Sequence, residues 1–125
     1  MICLVDDDTS VLKSVRRLLR SDGLAVRTFS QASAFLSHIS TNRVELVVLD
    51  IRMKQMTGLE VLAHLCALSP QTRVIIITGR EDLAARSIAT QVGAVGFFIK
   101  PFDDAEFLAA VHRALGCASR HETKV

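Results

Sequence analysis

The chain has 125 residues and a formal net charge of +2, which suits one domain and is too mild to predict nucleic-acid binding. Half of the residues are hydrophobic, yet no apolar run approaches the ~20 residues that cross a membrane, and the first residues lack a signal-peptide pattern. The three cysteines are odd in number and widely spaced and form no disulfide framework or metal motif, which predicts reduced thiols in a cytoplasmic protein. We expect Cys3 and Cys66 to be small core residues.

Four short apolar runs each end in a polar residue that can bind a phosphoryl group or a metal. Runs this short and this rich in Val, Ile and Leu are typical of strands buried on both faces of a parallel sheet. They cover residues 2–5 before Asp6, 46–49 before Asp50, 74–77 before Thr78 and 97–99 before Lys100. Because the carboxyl ends of parallel strands lie at one edge, we expect these polar residues to converge there.

Helical patterns alternate with these strands, and residues 25–29 form a weaker strand. The first helix starts near Val11 with Thr9 or Ser10 as its cap, and Ser30 is expected to cap the second. A third helix has its apolar positions at Leu59, Leu62, Leu65 and Cys66. A fourth covers about residues 82–92, and a fifth begins at Asp103.

Five strand–helix repeats predict an α/β fold: a doubly wound, five-stranded parallel sheet in the flavodoxin-like order 2-1-3-4-5, with helices on both faces. We expect one domain over residues 1–116. The polar residues 117–125 would be a C-terminal tail or the start of a linker.

Asp6, Asp7 and Asp8 follow the first strand, and in this strand order Asp50 ends a neighbouring one. Acids at a helix N-terminus favour the helix dipole, which accounts for one or two of the three but not for Asp50. Carboxylates within ~5 Å repel one another, most of all where the dielectric is low. The cluster therefore predicts a cation, and oxygen ligands with open positions suit Mg²⁺.

Thr78 and Lys100 each have an ordinary interpretation, a turn residue and a surface lysine. In a functional interpretation, the Thr78 hydroxyl would donate to a phosphoryl oxygen, and Lys100 would pair with Asp50 or with an incoming phosphoryl group. Pro101 favours an extended backbone at Lys100 and makes a cis bond plausible, which would direct Lys100 inward.

Taken together, these residues resemble the receiver domain of bacterial two-component response regulators, from about residue 2 to residue 115. The details look closest to receivers of LuxR-type, FixJ-like regulators. The resemblance is carried by Val-Asp-Asp-Asp at 5–8, Leu-Asp-Ile-Arg-Met at 49–53, Met-Thr-Gly at 56–58, Ile-Thr-Gly at 77–79, Gly-Ala at 93–94 and Lys-Pro-Phe at 100–102. One departure is Lys54, where the family usually has a proline; a lysine would leave that loop freer.

The resemblance implies a phosphoryl-transfer site. Asp50 would accept a phosphoryl group from the phosphohistidine of a sensor histidine kinase or a histidine phosphotransfer protein. Mg²⁺ would be bound directly by Asp7, Asp50 and the backbone carbonyl of Arg52, and by Asp6 through a water molecule. Asp8 has no implied role. Thr78 and Lys100 would hold phosphoryl oxygens.

The resemblance also implies a switch, in which Thr78 moves toward the phosphoryl group and Phe97 turns inward. The alternative for Phe97 is an ordinary core ring. The surface around the fourth helix and fifth strand would then control an output such as transcription, through a separate DNA-binding domain. A homodimer through the fourth helix, fifth strand and fifth helix is a further expectation. The domain itself would bind neither nucleic acid nor membrane, and would catalyse only its own phosphorylation and dephosphorylation.

Two other functions remain open from the residues. A haloacid-dehalogenase-like, Mg²⁺-dependent phosphatase or phosphotransferase also uses an aspartate nucleophile with Thr, Lys and acidic ligands. It needs a second acid two residues after the nucleophile, where this chain has Arg52. The other alternative is a receiver fold that is never phosphorylated and serves only as an interaction module.

Overall fold

A computed structural model of the chain describes residues 1–116, in which five strands alternate with five helices. The elements are β1 (Ile2–Val5), α1 (Thr9–Ser21), β2 (Val26–Phe29), α2 (Ala32–Ile39), β3 (Leu46–Asp50), α3 (Gly58–Leu68), β4 (Arg73–Thr78), α4 (Leu83–Val92), β5 (Gly96–Ile99) and α5 (Asp104–Ala114). The predicted tail or linker at 117–125, with Cys117, lies outside the described residues. Over residues 1–116, no helix is both long enough and apolar enough to span a membrane.

The five strands form one parallel sheet in the order β2-β1-β3-β4-β5, which confirms the predicted topology. The register places Val5 beside Leu49 and Asp50 beside Ile77, so these strands end at one level. The three central strands are almost completely buried, because helices cover both faces of the sheet. The two edge strands are only partly buried.

Side chains alternate between two cores along each strand, since successive strand residues point to opposite faces. One core packs under α2, α3 and α4 and includes Val5, Leu49 and Ile76. The other packs under α1 and α5 and includes Leu4 and Phe107. Alternation predicts that Phe97 and Phe98 lie on opposite faces, and they pack against the first and second core respectively.

The structure places the caps of α1 and α2 at other residues than residue type alone predicts. Asp8 caps α1, with its carboxylate accepting from the Ser10 amide, so the predicted caps Thr9 and Ser10 are wrong. Both already lie in the first turn of the helix, because the chain turns directly after β1. The predicted cap Ser30 is also wrong, since Gln31 holds the cap position of α2 and makes no side-chain cap bond.

Two of the predicted helix starts are confirmed. Asp82 and Asp103 cap α4 and α5, each accepting from the amide three residues on. The fourth helix ends at Gly93, whose φ of +107° lies in the left-handed region that favours glycine.

The two described cysteines differ in their environments. Cys3 is fully buried in β1, as predicted, and burial raises the pKa of its thiol to about 11. Cys66 is exposed, so its prediction as a core residue is wrong. It follows the buried Leu65 and is rotated about 100° farther around α3, where its Sγ lies 3.9 Å from the carbonyl of Val92.

Candidate functional site

Three carboxylates meet at the carboxyl edge of the sheet, as the strand ends predict. Asp6 and Asp7 follow β1, and Asp50 is the last residue of the neighbouring strand β3. Each side chain contributes one oxygen to a group whose members all lie within 4.8 Å of one another. Asp6 is fully buried and Asp50 is 3% exposed, whereas Asp7 lies closer to solvent. One small cation could therefore contact oxygen atoms from two strand ends at once.

Lys100 supplies positive charge to this group from the end of β5. Its Nζ lies 3.3 Å from Oδ2 of Asp6 and 3.8 Å from Oδ1 of Asp50. The predicted approach to Asp50 is present, and the shorter contact to Asp6 was not predicted. The Lys100–Pro101 peptide bond is cis, and the amide of Lys100 donates to the carbonyl of Thr78 at 2.7 Å.

Backbone amides hold each of the three carboxylates in place. The amide of Asp8 donates to Asp6 Oδ1 at 2.9 Å, and the amide of Arg52 donates to Asp50 Oδ1 at 3.2 Å. The amide of Lys54 donates to Asp7 Oδ2 at 3.0 Å. A proline at position 54 has no N–H to donate, so the lysine ties the β3–α3 loop to Asp7 instead of freeing it there.

Burial, and after it the negative charge of Asp6, raises the pKa of Asp50 from 3.8 to about 7. The charge of Lys100 and the hydrogen bond from the Arg52 amide act in the opposite direction. One lysine therefore does not fully balance the buried carboxylates. A group of carboxylate oxygens with excess negative charge fits a hard divalent cation such as Mg²⁺.

Thr78 and Phe97 lie on the other side of this edge, on β4 and β5. Thr78 is 1% exposed, and its hydroxyl donates to the carbonyl of Arg80 at 3.3 Å, within its own loop. Phe97 is partly buried beside Ile76 of β4, and its ring centroid lies 5.4 Å from the guanidinium carbon of Arg86. Both side chains thus face the loop and helix that follow β4.

With this geometry established, comparison with known families decides the class of protein. A family model described as the response regulator receiver domain matches residues 2–112. The chain belongs to the response-regulator receiver family. The resemblance stated from the motifs is therefore confirmed, as is a role in phosphorylation-based two-component signalling.

Curated relatives and solved structures agree with this assignment. The receiver is 39% identical to the response regulator protein TodT of Pseudomonas putida over 98% of this chain, and 41% identical to the transcriptional regulatory protein FixJ of Azorhizobium caulinodans over 90%. It covers 54% of each, about half the length of these relatives. A CheY-like receiver domain of Methanospirillum hungatei superposes with a TM-score of 0.87 at 27% identity, covering 99% of this chain and 97% of that one.

The family assignment does not favour the haloacid-dehalogenase alternative. In that class an acid follows the nucleophile by two residues, and here Arg52 occupies the position, exposed at the rim of the site. A cavity of about 600 Å³ opens above the site between the β3–α3 loop and α4. Charged residues such as Asp7 and Arg52 line it together with apolar residues such as Met53 and Leu59, so the opening of the receiver combines charged and apolar groups.

Gly58 is a residue of the site that the residue-by-residue reasoning missed. A Cβ at this position would lie 2.5 Å from the carbonyl oxygen of Asp50 and 2.7 Å from the Cα of Ile51. The Gly58 amide also donates to the Ile51 carbonyl at 2.8 Å. Thr57 caps the same helix and forms a capping box with Glu60. The start of α3 is therefore pressed against the strand end that presents Asp50, which only glycine allows. The Met-Thr-Gly motif was the available signal.

Proposed function

We propose that Asp50 of this receiver accepts a phosphoryl group from the phosphohistidine of a sensor histidine kinase or a histidine phosphotransfer protein. The observation that carries the proposal is the position of Asp50. Its carboxylate is nearly buried, shares an oxygen cluster with Asp6 and Asp7, and lies 3.8 Å from the ammonium of Lys100. In the reaction a carboxylate oxygen bonds to phosphorus while the bond from phosphorus to the imidazole nitrogen breaks.

The metal proposed for the site is Mg²⁺. Asp7, Asp50 and the backbone carbonyl of Arg52 would hold it directly, and Asp6 would hold it through a water molecule. When bound, Mg²⁺ neutralises the charge of the carboxylates and of the incoming phosphoryl group. The amide of Arg52 keeps Asp50 oriented, and the amide of Lys54 keeps Asp7 oriented.

Lys100 and Thr78 are proposed to hold the transferred group. Phosphoryl transfer depends mainly on positioning and on neutralising charge at the equatorial oxygens. The Nζ of Lys100 already lies between Asp6 and Asp50, so a phosphoryl oxygen on Asp50 would be within its reach. The Thr78 hydroxyl would exchange its bond to the Arg80 carbonyl for a bond to another phosphoryl oxygen.

The proposed output is a change of surface around α4 and β5, driven by Thr78 and Phe97. FixJ is a transcriptional regulatory protein about half of which matches this chain, which supports transcription through a separate DNA-binding domain. The domain itself would not bind DNA, and its proposed extent is residues 1–116. A homodimer through α4, β5 and α5 is also proposed, since Leu83 and Val95 leave exposed apolar surface there. We further propose that its catalysis is limited to its own phosphorylation and dephosphorylation.

The deciding experiment is incubation of the protein with acetyl phosphate and Mg²⁺, followed by intact mass measurement. We expect one added phosphoryl group on the wild type and none on Asp50→Asn. Asp8→Asn is the matched control, because it makes the same chemical change two residues from Asp6 while asparagine still caps α1. An unmodified wild type, or an Asp50→Asn variant labelled equally well, contradicts the proposal. Turnover of small phosphate esters would instead indicate a phosphatase.

A further inference from the structure

Arg86 covers the ring of Phe97 in a contact that no motif predicts. The two residues are on different elements, α4 and β5, and the guanidinium carbon lies 5.4 Å from the ring centroid. This distance is within the ~6 Å over which a cation is attracted to the face of an aromatic ring. Arg86 is thus placed to hold Phe97 in the position seen here.

A second contact connects Arg86 to the loop that follows Thr78. Nη1 of Arg86 lies 3.9 Å from Oε2 of Glu81, and both side chains are about half exposed. Glu81 is the neighbour of Arg80, whose carbonyl accepts the Thr78 hydroxyl at 3.3 Å. The contacts therefore lead without a gap from Thr78 through its loop to Arg86 and on to the Phe97 ring.

The packing of α4 explains why this contact has influence over the ring. The residues that α4 buries against the sheet are Ala85 and Ala89, which are small. Phe97 packs beside that cluster but is only partly buried by it. Arg86 adds its planar guanidinium over the ring, which the core leaves partly exposed.

We propose that Arg86 is a positioning residue that holds Phe97 in its partly exposed position and so opposes the switch. The inference rests on the proposed function, in which Thr78 and Phe97 move together. When Thr78 gives up the Arg80 carbonyl, the loop carrying Glu81 loses a constraint, and Arg86 loses part of its anchor. A ligand that favours the switched state must overcome the Arg86–Phe97 contact, so removing the contact raises the apparent affinity for that ligand.

The test measures the binding of beryllofluoride with Mg²⁺, a mimic of the phosphoryl group, by NMR of ring-labelled phenylalanine with Phe97 assigned. We expect Arg86→Met to bind about two- to fivefold more tightly than the wild type, the range of an exposed cation–π contact. Arg86→Lys keeps the charge without the planar group and is expected to fall between them. Arg43→Met is the matched control. It removes an exposed arginine just before β3, at the amino ends of the parallel strands and away from the carboxyl edge, and is expected to leave the affinity unchanged.

A double-mutant cycle separates the contact from a general effect of charge. For the cycle the affinity is read in all four proteins from the ¹⁹F resonance of bound beryllofluoride, which does not depend on the Phe97 ring. In a Phe97→Leu background, Arg86→Met is expected to have no effect on affinity, because the ring is absent. Equal affinities for wild type and Arg86→Met, or the same gain in the Phe97→Leu background, overturn the inference and leave the proposed function standing. A wild type that binds beryllofluoride with no change at Phe97 contradicts the proposed switch and this inference together.

Discussion

The two halves of the carboxyl edge are built in different ways. In the acceptor half, Asp6 and Asp50 are buried, are held by backbone amides and share the charge of Lys100. In the responding half, Thr78 makes one 3.3 Å hydrogen bond to its own loop, and Phe97 is covered by a half-exposed arginine. The first half is stabilised by buried charges, and the second by weak, partly hydrated contacts.

This difference in how firmly the side chains are held fits the proposed role of each half. Phosphoryl transfer requires reacting groups in one defined arrangement, so a site with several constraints per side chain is suited to it. A switch requires two arrangements whose free energies differ by only a few kcal/mol. Weak contacts at Thr78 and Arg86 keep this free-energy difference small. The comparison predicts that substitutions in the acceptor half change the free energy of unfolding, in either direction, much more than substitutions in the responding half.

The largest effect on stability is expected for Lys100→Met. The substitution leaves the carboxylates of Asp6 and Asp50 buried without their cation, and removing one partner of a buried ion pair is costly, about 3 to 5 kcal/mol. We expect that loss in the free energy of unfolding at pH 8 in EDTA, measured by urea denaturation. Lys54→Met is the control, because only the backbone amide of that exposed lysine contacts the site. Equal losses for both variants would contradict the comparison.

The next largest effect is expected for Gly58→Ala, which tests backbone packing in the acceptor half. The added Cβ would lie 2.5 Å from the Asp50 carbonyl oxygen, so α3 or the end of β3 must shift. Overpacking of this kind destabilises by about 2 to 3 kcal/mol. Gly79→Ala is the matched control, since a Cβ there meets nothing within 4 Å. Thermal denaturation of both variants checks the difference, and equal shifts would show that the contact at Gly58 is relaxed.

The raised pKa of Asp50 predicts how the stability of the metal-free protein depends on pH. In the folded protein the pKa of Asp50 is about 7, above the ordinary value of 3.8, so between these pH values the native state binds more protons than the unfolded state. The contribution of Asp50 to the free energy of unfolding is therefore fully present below pH 4 and is lost as the pH rises through 7. Asp50→Asn removes the titration, so its stability relative to wild type should rise with pH, by at most about 1.4 kcal/mol per unit.

Urea denaturation in EDTA at pH 5 and pH 8 measures this difference directly. We expect Asp50→Asn to gain stability relative to wild type at pH 8 and to gain less at pH 5, where the native carboxyl is largely protonated. Asp8→Asn again serves as the control, because Asp8 is exposed at a helix cap. A difference between Asp50→Asn and wild type that does not change with pH would show that burial does not govern the charge of Asp50.

The sequence predicted the convergence of the site because that convergence follows from topology. Short apolar runs identify buried parallel strands, and parallel strands end at one edge, so Asp6, Asp50, Thr78 and Lys100 had to lie near one another. The contacts within the site depend on side-chain packing. That is why the closer approach of Lys100 to Asp6, 94 positions away, was not predicted.

Other misses have equally local reasons. Asp8, Thr9 and Ser10 are all good helix caps, and the one that caps is decided by how sharply the chain turns after β1. One step around α3 separates the buried Leu65 from the exposed Cys66. The approach of Gly58 to the backbone of Asp50 depends on the angle at which α3 meets the sheet, which no local pattern encodes.

The smallest effect on stability is expected for Thr78→Val, which tests the responding half. Valine keeps nearly the same shape and replaces the hydroxyl with a methyl group. The carbonyl it leaves belongs to the exposed Arg80, where water can replace the lost bond. A single neutral hydrogen bond contributes about 1 kcal/mol, and the 3.3 Å length places this one at the weak end. We therefore expect a loss below about 1 kcal/mol by urea denaturation. A loss as large as that of Lys100→Met would show that the responding half is held as firmly as the acceptor half, and that a switch through Thr78 must overcome a much higher barrier.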